Sequence, residues 1–157
     1  MPKDSFTALE YESMIFGRHL HAYTGRAGNS PGTLDQSAYV LLTLLQVEGP
    51  SSISELGQVT GLDASTLNRQ TRALVTKGFA ERIPDPGGGL ARKFRASETG
   101  IALLDEERSA STRNLAGVLA DWDEDEVDTF VAYLVRMNRA VEERTGRRWP
   151  RPRQQRP

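Results

Sequence analysis

The sequence predicts a mainly α fold with a small β-hairpin, and three observations carry that prediction. Apolar residues recur at helical spacing on both sides of Gly61, a pattern typical of two helices joined by a tight turn. The second of these helices ends at Gly78, and two short extended pieces follow, separated by the glycine-rich loop 84–89. Long amphipathic stretches flank this unit on both sides. Together these features predict a winged helix-turn-helix flanked by further amphipathic helices.

Capping signals place the two central helices. Ser52 and Glu55 form a capping box, in which each side chain satisfies a free amide at the helix start. Asp63 suits the start of the second helix, because its carboxylate can accept from an unpaired amide and complements the helix dipole. The residues expected on the inner face of that helix are Leu67, Thr71, Leu74 and Val75.

The opposite face of the second helix carries two arginines and short polar side chains, namely Ser65, Asn68, Arg69 and Arg72. Such a helix fits the major groove of DNA, where Arg pairs with guanine and Asn with adenine. An ordinary amphipathic helix with a solvated polar side has the same pattern. The hairpin that follows favours the DNA-binding interpretation. We expect base contacts from Ser65, Thr66, Asn68 and Arg69, and phosphate contacts from Arg72 and Ser52.

Residues 34–104 resemble the MarR family of winged-helix transcription regulators. The matching stretches are 62–69 (LDASTLNR), 74–82 (LVTKGFAER), the pair Asp85-Pro86 and 97–104 (SETGIALL). Family members carry a similar helix with a Ser-Thr-x-x-Arg motif, and this helix ends at a Lys/Arg-Gly-aliphatic sequence. A wing follows, and the next helix starts with Thr-x-x-Gly. The resemblance implies a homodimer that binds a palindromic operator of double-stranded DNA. It also implies a small aromatic or lipophilic effector between the dimer helices and the DNA-binding lobe.

The wing departs from the family pattern. Family members usually carry Asp-Arg-Arg after Asp-Pro, whereas Gly88, Gly89 and Leu90 hold those places here. The nearest cation is Arg92. Either Arg92 takes over the reach to the minor groove from a shifted wing, or the wing contacts only the DNA backbone. The first alternative is our expectation.

Charge is unevenly distributed along a chain whose net charge is −1. Residues 51–97 hold 7 cations and 4 anions, whereas residues 98–146 hold 5 cations and 12 anions. A basic unit within a near-neutral protein favours local attraction to phosphate over indiscriminate coating of DNA. The Pro- and Arg-rich tail is predicted to be disordered. It is either a solvated end or a contact to DNA phosphate or to the protein's own acidic helices.

The sequence divides into four parts. They are a dimerisation helix and loop (1–32), a winged helix-turn-helix DNA-binding domain (33–97), dimerisation helices (98–146) and a disordered basic tail (147–157). The apolar faces of the flanking helices are larger than one small winged domain can bury. The apolar surface that would remain exposed predicts a partner. Phe16, Leu20 and Tyr39 are expected to line the effector crevice. The apolar neighbours of Tyr39 also favour a structural role in the core.

Composition argues against several other classes of protein. The chain has no Cys, so disulfides and thiol redox chemistry are excluded. It has neither an apolar run near the roughly 20 residues that span a bilayer nor a secretion leader, so we expect a cytoplasmic protein. His19 and His21, two apart on a helix, do not face one way, and we expect no metal site. No pattern of nucleophile or phosphate loop indicates an enzyme, and no cofactor is expected.

The sequence therefore predicts a sequence-specific DNA-binding transcriptional regulator, a repressor released by its effector. The alternative is a ligand-binding or protein-interaction module that keeps the fold and has lost DNA binding. The missing wing arginines support that alternative.

Overall fold

A computed structural model describes residues 3–23 and 34–152, and within these ranges the chain forms six helices and one antiparallel two-stranded sheet. The elements, in chain order, are α1 (Lys3–Tyr23), α2 (Gln36–Glu48), α3 (Ile53–Thr60), α4 (Ala64–Thr76), β1 (Ala80–Ile83), β2 (Lys93–Ala96), α5 (Glu98–Val118) and α6 (Glu124–Thr145). The mainly helical fold with a small hairpin is thus confirmed. The loop of the predicted N-terminal unit falls largely on residues 24–32, which lie outside the described residues.

Helix α2 is the centre of the hydrophobic core. Its side chains are buried on several sides at once, because α4, α5 and β2 all pack against it. Each fully buried leucine adds about 1.5–3 kcal/mol of transfer free energy to the stability of the core. The leucines exposed by 3% or less are Leu34, Leu41, Leu42, Leu44, Leu45, Leu56, Leu67, Leu74 and Leu104.

The predicted caps are present at the helix starts. The Ser52 hydroxyl accepts from the Glu55 amide at 3.2 Å, and the Glu55 carboxylate accepts from the Ser52 amide at 2.6 Å. Asp63 caps α4, and Asp123 with Glu126 forms a second capping box at α6. These caps depend only on residues three apart in the chain, so the sequence alone specifies them.

The wing is a hairpin of two four-residue strands that is tied to the segment just before α3. Glu81 pairs with Arg95 and Ile83 with Lys93 in the antiparallel register. Strand β2 is shorter than the extended piece expected over residues 91–97. Ser51 exchanges two backbone hydrogen bonds with Phe94, at 3.0 and 2.8 Å. This bridge fixes one edge of the wing to the start of the helix-turn-helix.

A close backbone contact joins the wing to α5. The Ser97 amide donates to the carbonyl of Phe79 at 3.0 Å, and the Ser97 hydroxyl donates to the carbonyl of Gly78 at 2.6 Å. A Cβ on Gly100 would overlap the Phe79 carbonyl oxygen. Only glycine therefore lets the first turn of α5 approach the end of β1 this closely.

The outer helices contribute little to this core. Helix α6 has no buried residue, and α1 is exposed along most of its described length. Within the described ranges, none of the helices combines the length and apolar character that crossing a membrane requires.

The tail differs from its predicted disorder over the part that the structure describes. The Trp149 side chain is half-buried and packs against the core, and Arg151 forms an ion pair with Glu142 of α6. Burying an indole releases enough free energy to offset the ordering of a few residues. Residues 153–157 lie outside the described residues.

Candidate nucleic-acid interface

The orientation of α4 is set by the turn before it and the core behind it. Gly61 adopts a left-handed conformation, with φ of 73°, and its amide donates to the Gly57 carbonyl at 2.8 Å. Leu67, Thr71 and Leu74 are each exposed by 2% or less. Because these three side chains are fixed in the core, the opposite face of α4 points to solvent.

Val75 is a correction to the predicted inner face, because its side chain is 37% exposed. At about 100° per residue, Val75 lies about 80° around the helix from Leu67, whereas Thr71 and Leu74 lie within about 40°. The buried face of α4 is therefore narrower than its pattern of apolar residues predicts.

The four polar residues of the outward face, Ser65, Asn68, Arg69 and Arg72, are all exposed. Arg69 lies almost opposite Leu67 on the helix. The two arginines supply cations on the solvent side of a helix whose position the core fixes. This arrangement suits insertion into a major groove.

Three of the predicted contact residues, including Asn68 of the outward face, already form local hydrogen bonds. Thr66 donates its hydroxyl to Asp63 at 2.8 Å, so its side chain completes the cap of α4. The side-chain amide of Asn68 donates to the backbone carbonyl of Ala64 at 2.8 Å, as exposed Asn side chains on helices often do. Ser52 is buried, and its backbone amide and its hydroxyl both take part in the capping box. Base or phosphate contacts from these residues would require rearrangement, which favours Arg69 and Arg72 as the main contacts.

Asp63 keeps its negative charge at the start of α4. The backbone amide of Thr66, followed by the Thr66 hydroxyl, holds the pKa of this carboxyl below its ordinary value. An anion at this position opposes the approach of phosphate. The arginines further along the helix present the opposite charge, which attracts phosphate.

The wing cations next to Arg92 are already paired. Lys93 lies 3.0 Å from a Glu55 oxygen and 3.7 Å from an Asp85 oxygen, and the Glu55 hydrogen bond raises the pKa of Lys93. Arg95 pairs with Glu81 at 2.6 Å. Arg92 is exposed, and within the described part of the chain it forms no ion pair.

The wing tip is built around Asp85. Its carboxylate accepts from the Gly87 amide at 2.9 Å, and its carbonyl accepts from the Gly88 amide at 3.0 Å. Gly88 has a φ of 81°, a conformation that favours glycine. Leu90 is fully exposed beside this turn. The glycines therefore form a compact tip, and Arg92 is the first cation that follows it in the chain.

The three residues predicted to line one effector crevice do not lie at the same cavity. A cavity of about 710 Å³ lies between α2, α5, α6 and the tail, and Tyr39 lines it. A second cavity, of about 330 Å³, lies between α1 and α6, and Phe16 lines it. Leu20 is half-buried and lines neither of them. Tyr39 also packs against the core, so its structural and pocket-lining interpretations are both compatible with its position.

The larger cavity includes residues that the sequence interpretation missed. Arg108, Asn138, Trp149 and Arg151 line it together with Tyr39. Trp149 was the available signal, because a large aromatic side chain in a Pro- and Arg-rich segment is out of place in a solvated tail.

Comparison with known sequences identifies similar regulators. A family model described as the MarR family matches residues 34–88. The uncharacterised HTH-type transcriptional regulator YxaD of Bacillus subtilis is 33% identical over 132 residues, 84% of this chain and 92% of that relative. The HTH-type transcriptional repressor NicR of Pseudomonas putida is 34% identical over 67 residues, 43% of this chain and 42% of NicR.

Solved structures share the fold. A MarR family protein from Bacillus stearothermophilus superimposes with a TM-score of 0.78 at 22% identity, over 90% of this chain and 98% of that one. A mutant MarR from Escherichia coli, complexed with operator DNA, gives a TM-score of 0.62 at 19% identity, over 86% and 94%. Bordetella bronchiseptica BpsR, whose DNA binding is regulated by 6-hydroxynicotinic acid, gives 0.63 at 17% identity, over 83% and 98%.

Proposed function

Because the chain belongs to the MarR family of DNA-binding transcriptional regulators, we propose that it is a homodimeric repressor of a palindromic operator, released by a small aromatic or lipophilic ligand. The observation that carries the proposal is the exposed arginine face of α4, held in place by a buried opposite face. A rigid cationic helix of this kind recognises base edges without first having to become ordered.

Arg69 has the central role in this proposal. Its guanidinium can donate two hydrogen bonds to the O6 and N7 atoms of guanine, which no other base pair presents in the same pattern. Arg72 lies almost one turn further along α4 and would contact phosphate. Arg92 would extend from the wing toward the minor groove, as the first cation after the wing tip.

The proposed dimer rests on the outer helices. Large apolar side chains of α1 and α6 remain 41–63% exposed in the single chain, and a second copy would cover them. The residues are Phe6, Leu9, Tyr11, Met14, Phe16, Val131, Tyr133, Met137 and Val141. A twofold pair places two α4 helices so that they can enter successive major grooves, about 34–36 Å apart.

The proposed ligand response rests on the 710 Å³ cavity. It lies between the DNA-binding lobe, represented by Tyr39 and Thr43, and α6, represented by Asn138 and Val141. A ligand held there can alter the position of one unit relative to the other. It weakens DNA binding only if it binds the DNA-incompetent arrangement more tightly. Repression by NicR and the control of BpsR by a small aromatic acid support the same kind of response here.

The decisive experiment is fluorescence anisotropy on labelled duplexes from the region upstream of the protein's own gene, at several salt concentrations. We expect specific binding by two chains per duplex, with affinity that falls steeply with salt as counterions are released. A salt slope near zero would instead indicate a module that has lost DNA binding.

The dimer is tested by Met137→Asp, which places a charge on the exposed apolar face of α6. We expect monomers in sedimentation velocity and a loss of operator affinity, because the two half-sites no longer act together. The control for the sedimentation measurement is Gln58→Asp on the exposed surface of α3, which adds the same charge outside the proposed interface. A Met137→Asp variant that remains dimeric would exclude this face of α6 as the interface.

A further inference from the structure

The chain reverses direction directly after α6. Gly146 has a φ of 69°, and the Arg147 amide donates to the Glu142 carbonyl at 3.2 Å. This ending turns residues 147–152, which we call the C-terminal strap, back along the protein toward the helix-turn-helix.

Two contacts hold the C-terminal strap in place. Arg151 binds the Glu142 carboxylate with both of its terminal nitrogens, at 3.0 and 2.5 Å. This pairing lowers the pKa of Glu142 and raises that of Arg151. Trp149 packs against the core of the DNA-binding lobe. The strap therefore has one attachment on α6 and another on the lobe that carries α4.

The first residue of the strap lies against the turn before the recognition helix. An ideal Cβ on Gly61 would lie 2.8 Å from Arg147 Cζ and 2.7 Å from one terminal nitrogen. The planar guanidinium thus lies against the backbone at Gly61, where both residues remain exposed to solvent, and any larger residue at position 61 would displace it. Gly61 is two residues before Asp63, the cap of α4.

We infer that Arg147 is a positioning residue for DNA binding: by lying against the turn at Gly61, it fixes α4 relative to the dimerisation helix α6. The inference rests on the proposed DNA-binding function and adds to it a physical connection between the dimer and the reading helix. In a dimer, the position of α4 relative to α6 sets the distance between the two recognition helices. A small shift at Gly61 therefore alters how both helices meet the DNA.

The position of Arg147 also brings a cation near the helix-turn-helix, so a direct phosphate contact must be distinguished from positioning. Arg147→Lys separates the two roles. Lysine keeps the charge that a phosphate contact needs, but it lacks the planar group that lies against Gly61. Arg148→Ala is the matched control, because Arg148 is the next residue, is exposed as Arg147 is, and its loss removes the same charge.

The experiment compares full-length wild type, Arg147→Ala, Arg147→Lys and Arg148→Ala on a duplex selected by the wild type from a random pool. We expect both Arg147 variants to bind roughly 3- to 30-fold more weakly, with an unchanged salt slope. Arg148→Ala should stay within about twofold of wild type. Recovery of affinity by lysine, or a salt slope reduced by about 0.9 in Arg147→Ala, would make Arg147 a phosphate contact and overturn the inference.

Hydrogen exchange on the free protein tests the same inference without DNA. We expect amides of residues 61–67 to exchange faster in Arg147→Ala than in Arg148→Ala, while α2 amides stay protected in both. Equal exchange at the turn would overturn the inference even if the wild type binds DNA as proposed. If the wild type does not bind DNA, the proposed function is wrong. The hydrogen-exchange result would still show, independently of DNA, whether Arg147 holds the turn at Gly61 in place.

Discussion

The ammonium group of Lys93, on the wing, lies 3.0 Å from a carboxylate oxygen of Glu55, at the start of α3. The other oxygen of the same carboxylate accepts from the Ser52 amide. One side chain therefore completes a helix cap and attaches the wing to the helix-turn-helix. The position of the wing relative to α3 depends in part on this pair.

We expect Glu55→Gln to reduce the loss of stability in acid. The Ser52 amide, and then the Lys93 ammonium group, hold the pKa of Glu55 below its ordinary 4.5. A carboxyl with a depressed folded pKa adds stability above its unfolded pKa, and this stability is lost as pH falls through the folded pKa. Urea denaturation at pH values from neutral to below 4.5 should show a steeper decline for the wild type than for the variant.

The control for this pH dependence is Glu106→Gln, which removes an equal charge from the exposed surface of α5. It should retain the steep decline of the wild type. Parallel pH profiles for Glu55→Gln and the wild type would show that the pairing of Glu55 adds nothing to stability.

Gly100→Ala should destabilise the fold. A methyl group there meets the Phe79 carbonyl, which is backbone and cannot rotate away, so we expect a loss of about 1–3 kcal/mol in unfolding free energy. Gly117→Ala, on the same helix, meets no atom within 4 Å and should be neutral or stabilising by at most about 1 kcal/mol. Chemical denaturation of both variants measures the difference, and equal stability would disprove the close contact.

Arg69→Ala should weaken specific binding by about 1–3 kcal/mol, the value of a lost bidentate base contact. Arg72→Ala should weaken binding to specific and random duplexes alike and reduce the salt slope by about 0.9, because one phosphate contact is lost. Anisotropy titrations on both kinds of duplex measure these effects. If Arg69→Ala lowers the affinity for random DNA just as much, Arg69 contacts the DNA backbone instead.

Arg92→Ala tests the contribution of the glycine-rich wing. We expect weaker binding with a salt slope lowered by about 0.9, because the first cation after the wing tip is removed. Leu90→Ala shortens the neighbouring exposed side chain without changing charge and should leave the salt slope unchanged. Identical salt slopes in wild type and Arg92→Ala would show that the wing makes no contact to phosphate through this residue.

Features that depend on neighbours within one helical turn were predictable. The capping box of Ser52 and Glu55, the cap at Asp63 and the turn at Gly61 were all predicted and are present in the structure. Their chemistry involves residues two to four positions apart. The outward orientation of Arg69 also followed from helical periodicity, because a known inner face fixes the opposite one.

Features that depend on distant segments were not predictable. The exposure of Val75 depends on the width of the core that α2 presents to α4. The separation of Phe16 from Tyr39 depends on where α6 passes between other elements. Neither property leaves a periodic trace in the sequence.

The sequence by itself determined the order of the elements, the caps that begin them and the polar face that α4 presents, because short-range spacing controls each of these. Only the tertiary structure decided that Gly100 must accommodate the Phe79 carbonyl, that Lys93 binds Glu55, and that Arg147 lies over Gly61. Contacts between segments far apart in the chain arise when packing of the core brings the backbones together. Local sequence patterns do not indicate which distant segments will come into contact.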